Sequence, residues 1–208
     1  MGPEEFKKYT DFTIHDRTDV DESVFSNKFE FSGKYGKDLM KEVSRYALVA
    51  AQIAKSKEHD VIHAHDWLAY PAGIAAKEIS GKPLIAHIHA TEFDRSGESV
   101  NKPVYDIERA GMHAADHVVA VSHLTRKIVI DKYGVHPDKV SVLHNAVLDA
   151  SIIHSETKKH VPEKIVTFLG RITFQKGPEY FVEAAKKVID RDPNVRFVMA
   201  GNGDLLNR

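Results

Sequence analysis

The chain has no cysteine, one tryptophan and almost no net charge: 29 basic against 30 acidic residues over 208 positions give a formal −1. Without thiols there is no disulfide, no thiolate zinc site and no cysteine nucleophile, and the composition fits a reducing compartment. Balanced charge removes the basic surface that nucleic acid or acidic lipid requires. No apolar run approaches the roughly 20 residues that cross a bilayer. The opening residues, Met1-Gly2-Pro3-Glu4-Glu5, lack the apolar stretch of a secretory signal. These absences predict a soluble cytoplasmic protein with no nucleic-acid partner and no integral membrane segment. The abundant residue is histidine, with 13 copies.

Residues 1–36 are polar and aromatic by turns, with Phe25, Phe29 and Phe31 placed to pin a loop or hairpin. From Lys37 to Ser56 apolar residues recur at three and four, the period of an amphipathic helix. An alternation follows. Strand-like Val61–His63 precedes a helix around Tyr70–Ile79, and Pro83–Ile88 precedes a polar loop over Thr91–Asn101 and a helix over Pro103–Ala114. His117–Val121 leads to a helix capped by Ser122, and Val140–Leu143 is another strand. Such spacing argues for a parallel sheet with helices on both faces. Residues 37–147 form this first domain and residues 148–162 a charged linker closed by Pro162. Residues 163–208 form a second unit: strand Lys164–Gly170, helix Pro178–Asp190 and strand Val195–Ala200. At 46 residues that unit is too small to bury much surface alone, so the chain is expected to be a fragment of something longer.

Three constellations carry chemistry. In the first, a β-branched and aromatic strand stops at Gly170, Arg171 and Lys176 follow within one loop, and Pro178 opens a helix. A strand end, two cations and an electropositive helix start suit a phosphate-bearing ligand, although most loop cations are merely solvated. It is not a Walker A loop, because the spacing differs and no Ser or Thr follows the lysine. The second is Gly201-x-Gly203 after a strand, where backbone approaches a ligand closely, or where an ordinary strand-to-helix turn is made. The third is the pair His63-x-His65 and His87-x-His89 with Asp66 and Asp94 nearby. In open parallel sheets the crevice beyond the carboxyl ends of the strands binds ligands, which makes Asp66 and His89 candidates. For His63 and His87, one step deeper, bonds to backbone groups inside the sheet are the ordinary expectation. The rival is a metal site, since imidazoles and carboxylates suit zinc, iron or manganese. Alternate positions on a packed strand rarely converge on one ion.

Taken together, His65-Asp66-Trp67, His87-Ile88-His89-Ala90-Thr91-Glu92-Phe93-Asp94, Ala120-Val121-Ser122, Leu143-His144-Asn145-Ala146-Val147, Gly170-Arg171…Lys176-Gly177 and Gly201-x-Gly203 resemble the retaining glycosyltransferases of the glycogen- and starch-synthase-like group. The resemblance runs from about Lys37 to the last glycine. It implies an α/β fold, with Rossmann-like parallel sheets in a two-domain GT-B glycosyltransferase, both domains incomplete here. It implies a hexosyltransferase that moves a sugar from a nucleotide sugar, such as UDP- or ADP-glucose, to a sugar or glycan acceptor with retention, using no metal and no cofactor. Arg171 and Lys176 match the cations that hold the departing diphosphate, and His89 matches the histidine lining the transferred sugar. Asp66 matches an acidic residue beside the sugar; Gly170, Gly201 and Gly203 fall in the donor-binding turns, and Asn145 at the interdomain crossover. Two departures stand out. Nothing in residues 1–36 resembles the family's opening strand and glycine-rich loop, and the family's paired glutamates belong beyond residue 208. The expectation is therefore a chain that is inactive alone, with exposed sheet edges that invite self-association. The alternatives are a metal-dependent hydrolase built on the His-x-His pairs, or a non-catalytic nucleotide- or sugar-binding remnant.

Overall fold

The computed structural model describes residues 38–147 and 160–207. The expected irregular segment over 1–36, and most of the linker over 148–162, lie outside the described residues. The chain divides into two compact units. One runs to Glu92 and resumes at Val100–Asn145; the other takes Phe93–Ser99 and the chain from Ala146 onward.

The first unit holds a four-stranded parallel sheet of β1 (Ile62–His65), β2 (Leu84–Ile88), β3 (His117–Ala120) and β4 (Val140–Val142), in that order across the sheet. Its helices are α1 (Leu39–Ser56), α2 (Asp66–Ser80), α4 (Lys102–Ala114) and α5 (His123–Tyr133), while the short α3 (Glu92–Ser96) belongs from Phe93 onward to the second unit. Consecutive strands that lie side by side, joined by right-handed crossovers, send their helices to one face. That face carries the buried Ala64, Leu84, Ala86, Ile88, Val118 and Ala120. Its residues are small because α2 comes close: a Cβ on Gly73 would stand 2.8 Å from Leu84 and 2.9 Å from Ala64. Each larger side chain buried this way contributes about 1.5–3 kcal/mol.

The opposite face carries His63, His65, Ile85, His87, His117 and Val119 by register, and both His63 and His65 on it are exposed. Among the described residues, the expected cover of helices on both faces is therefore met on one. Two further differences have physical causes. Pro71 suggests a helix start near Tyr70, yet α2 begins four residues earlier at Asp66 and carries the proline inside. The polar stretch expected as a loop contains α3, whose Glu92 is buried. Ser122 caps α5 as expected, its hydroxyl accepting the Thr125 amide at 3.0 Å.

In the second unit, β5 (Lys164–Leu169) pairs in parallel with β6 (Val195–Ala200), and α6 (Pro178–Ile189) crosses between them. Phe181 of α6 packs between Phe168 and Phe197, with ring centroids 5.5 and 5.6 Å apart. Ile165, Leu169 and Val198 stay exposed, as a unit this small dictates.

Candidate functional site

At the carboxyl end of the first sheet, the chain passes from β1 into α2 with no intervening loop. The turn is made at Asp66, whose φ of 59° is left-handed, a conformation aspartate tolerates better than most residues. Its carboxylate then accepts the backbone amide of His89 at 2.8 Å. One side chain thus ties the end of β1 to the residue just past β2.

The four histidines gather in the same place. His65 Nδ1 lies 3.0 Å from His89 Nε2, and His87 Nδ1 lies 3.2 Å from His63 Nε2. Their rings are stacked: His87 and His89 have centroids 4.4 Å apart, His63 and His87 5.3 Å at an interplanar angle of 5°. The expected backbone partners of His63 and His87 are replaced by each other. Register explains this, since His65 faces His87 directly and His63 sits two residues before it on the same face. Burial, and then the neighbouring imidazoles, pushes His87 down to about 4 from the ordinary 6.5. His63 is lowered for the same reasons, burial first. Both rings are neutral at pH 7.

The loop that leaves His89 is anchored by a group the sequence reading passed over. Glu108, fully buried on α4, accepts the Glu92 amide at 3.0 Å and the Tyr133 hydroxyl. Glu92 in turn accepts the Asn101 amide at 3.0 Å. The signal was present: Glu108 follows Val104 by four residues and belongs to the buried stripe of Val104, Ile107, Gly111 and Met112. A carboxylate in an apolar stripe needs partners. A second clamp joins Lys77 of α2 to Asp116 at 2.9 Å, and Asp116 accepts the Leu84 amide at 2.7 Å. That amide, followed by Lys77, lowers the Asp116 carboxyl.

In the second unit the loops after β5 and β6 are laced together. The Ile172 amide donates to Asn202 at 2.9 Å, and the Leu205 amide to Ile172 at 3.1 Å. This lacing is why glycines stand at 201 and 203. A Cβ on Gly201, whose φ is 157°, would lie 1.8 Å from the Gly170 carbonyl oxygen, and one on Gly203 would lie 2.2 Å from that of Ile172. Close approach of backbone to backbone thus accounts for both, and the Gly203 amide is held by the Asn202 side chain at 2.8 Å. Ile172 is buried, whereas Arg171 and Lys176 on either side are exposed. Neither cation has an acidic partner among the described residues. Lys176 ends a 3-10 turn (Phe174–Lys176), and α6 starts at Pro178 with no side-chain cap. Lys176 therefore stands beside the uncapped positive end of a helix, and no described acidic group neutralises either cation.

Of the residues singled out from sequence, Asp66 and His89 come together with His65 in the first unit. Gly170, Arg171, Lys176, Gly201 and Gly203 lie on the two adjoining loops of the second.

The sequence and the coordinates also have relatives. Residues 25–149 match Glycosyltransferase Family 4 and residues 149–208 match Glycosyl transferases group 1. An uncharacterized glycosyltransferase of Methanocaldococcus jannaschii is 31% identical over 162 residues, covering 71% of this chain and 41% of the relative. The UDP-Gal:alpha-D-GlcNAc-diphosphoundecaprenol alpha-1,3-galactosyltransferase of Escherichia coli is 29% identical over 184 residues, covering 82% of this chain and 46% of the relative. The chain thus spans under half the length of these two relatives. Among solved structures, Anabaena Alr3699/HepE in complex with UDP and glucose superposes with a TM-score of 0.57 at 18% identity, over 82% of this chain and 46% of that one. With parallel α/β units of the GT-B kind and a family match over residues 25–149, the chain belongs to Glycosyltransferase Family 4, and its residues 149–208 match Glycosyl transferases group 1.

Proposed function

We propose that the protein to which this chain belongs transfers a hexosyl group from a nucleotide sugar to a sugar or glycan acceptor, with retention at the anomeric carbon, in the manner of the glycogen-synthase-like group. One observation carries the reading: Arg171 and Lys176 lie in the loop that leads from a parallel strand to an uncapped helix, and both lack acidic partners among the described residues. Breaking a sugar–phosphate bond places negative charge on the departing diphosphate. A guanidinium fork and an ammonium group fixed where that charge develops stabilise it as it forms, an effect worth several kcal/mol in enzyme sites. Gly170, Gly201 and Gly203 are the donor-binding turn residues of this reading; Gly201 and Gly203 let the two loops lie against each other, and Gly170 leaves open space beside them.

His89 lines the transferred sugar. Asp66 lies beside it and also fixes the backbone of His89 through their 2.8 Å bond. The domain division at residues 148–162, a cytoplasmic location and a UDP-linked donor complete the proposal. The names of the Escherichia coli relative and the Anabaena structure, which mention UDP-Gal and UDP, support that choice of donor. A hydrolase built on the four histidines is not favoured, because the relatives cited are transferases. No described helix is long and apolar enough to cross a membrane.

Turnover needs more than this chain. Calorimetry with UDP, ADP and GDP, run beside a radiolabelled UDP-hexose transfer assay on the 208-residue chain, tests the proposal. The expected result is binding of UDP that disappears in Lys176→Ala, without transfer. Steady transfer by the chain overturns its inactivity, and absence of binding by all three nucleotides overturns the donor reading.

A further inference from the structure

The four-histidine stack is more than a sugar pocket requires. Nitrogen atoms of His63, His65 and His87 all lie within 4.8 Å of one another. They come from two adjacent strands and one face: His63 and His65 are alternate residues of β1, and His87 is the register partner of His65. The face is the more open one of the sheet: His63 and His65 are exposed, and each shares one ring nitrogen with a neighbouring imidazole.

The strongest sign is His87 itself. It is 8% exposed, its Nδ1 is taken by His63, and its Nε2 is buried with no hydrogen-bond partner. A buried nitrogen left unpaired is destabilising. Nothing described on the histidine face relieves that cost, and a lone pair on imidazole is also the commonest protein ligand for transition metals.

We propose that His63, His65 and His87 form a binding site for a single borderline-soft divalent metal ion of the zinc type, with water as the fourth ligand. Imidazole nitrogens select Zn2+, Co2+, Ni2+ and Cu2+ over Mg2+ and Ca2+. Tetrahedral ligands about 2.0–2.1 Å from zinc stand about 3.3 Å apart. Ligand atoms already within 4.8 Å reach that spacing when His63 and His65 exchange their present imidazole contacts for the ion. Asp66, close enough to act electrostatically on His87, supplies compensating negative charge. The ion pins β1, the outermost of the described strands on its side, to β2. It performs no hydrolysis; the site adjoins Asp66 and His89 of the sugar proposal, but its test reads metal binding and not UDP binding, so the two readings fail separately.

The test uses the untagged chain after chelator treatment and dialysis. Titration with Zn2+ by calorimetry, and with Co2+ by visible absorption, is expected to give one equivalent per chain and the intense d–d bands of a tetrahedral nitrogen site. Outer-shell changes at metal sites already cost 10–100-fold, so loss of a ligand in His63→Gln or His65→Gln is expected to weaken binding by at least about a hundredfold. His136→Gln, at an exposed histidine elsewhere, should leave it unchanged. Both tested ligands are exposed, so these variants keep the fold even where His87→Gln fails to. No binding at micromolar Zn2+, octahedral Co2+ spectra, or equal affinity in His63→Gln and wild type overturns the proposal.

Discussion

Asp66 performs two physical tasks that a short substitution series separates. It occupies a left-handed backbone position, and its carboxylate holds the His89 amide at 2.8 Å. A left-handed conformation costs roughly 1–2 kcal/mol for an ordinary L-residue and little for Asp, Asn or Gly. A hydrogen bond to a charged group contributes about 1.5–3 kcal/mol. Asp66→Asn keeps the backbone preference and an acceptor oxygen, so it should cost about 1 kcal/mol through lost charge assistance. Asp66→Gly keeps only the backbone preference and should cost about 1.5–3 kcal/mol. Asp66→Ala loses both and should cost about 3–4 kcal/mol. The assay is built into the protein: Trp67 is the only tryptophan and is buried in the first unit. Its fluorescence in a urea titration reports that unit alone, which avoids treating a two-unit chain as a single transition. Equal costs for Asn, Gly and Ala, or Ala the mildest of the three, would refute the reasoning.

Three further outcomes follow from the same geometry. Gly111→Ala places a Cβ 2.4 Å from the ring of Tyr70, which is 1% exposed and cannot yield; a net loss of about 2 kcal/mol is expected despite the better helix propensity of alanine, read as a lower Trp67-monitored melting temperature. Gly203→Ala drives a Cβ to 2.2 Å from the Ile172 carbonyl oxygen, so UDP binding by calorimetry should be lost while the Trp67 transition stays put. For His87, held at about 4 when folded against 6.5 when free, the unfolded chain takes up the proton first as pH falls. Stability is therefore full above about pH 6.5 and declines towards pH 4. The bound set by the shift is about 3 kcal/mol; screening around its exposed neighbours His63 and His65 reduces the expected loss to about 1–2 kcal/mol. In chelator-treated protein, with His63, His65, His89 and Asp66 facing the ring, urea midpoints at about pH 7 and about pH 4.5 should differ in wild type, and the difference should shrink in His87→Gln while a smaller share from His63 remains.

Much of this architecture is legible in the residues. Apolar spacing of three and four finds α1 and α4, and β-branched runs find β5 and β6, because one period dominates each window. The start of α2 is hidden because Pro71 mimics a first-turn proline while the true turn depends on the φ of Asp66, which spacing does not encode. The pairing of His63 with His87 is hidden too, since it follows from strand register, a long-range property. Glu108 was readable as a polar residue in a buried stripe, but its partners Glu92 and Tyr133 lie 16 and 25 positions away. Arg171 and Lys176 announce themselves through local order: strand, glycine, cation, proline. Gly201 and Gly203 were equally visible, yet only the coordinates show that they make room for another loop's carbonyl groups.

The claim that the two cations grip a diphosphate is tested most directly by comparing UDP with uridine on wild type and on the double variant Arg171→Ala/Lys176→Ala. Two exposed charge-assisted contacts should favour UDP by about 2–3 kcal/mol, roughly 30- to 150-fold in Kd. The account predicts that this preference, read by calorimetry, collapses in the double variant while uridine binds as before. An undiminished preference for UDP in that variant would contradict it.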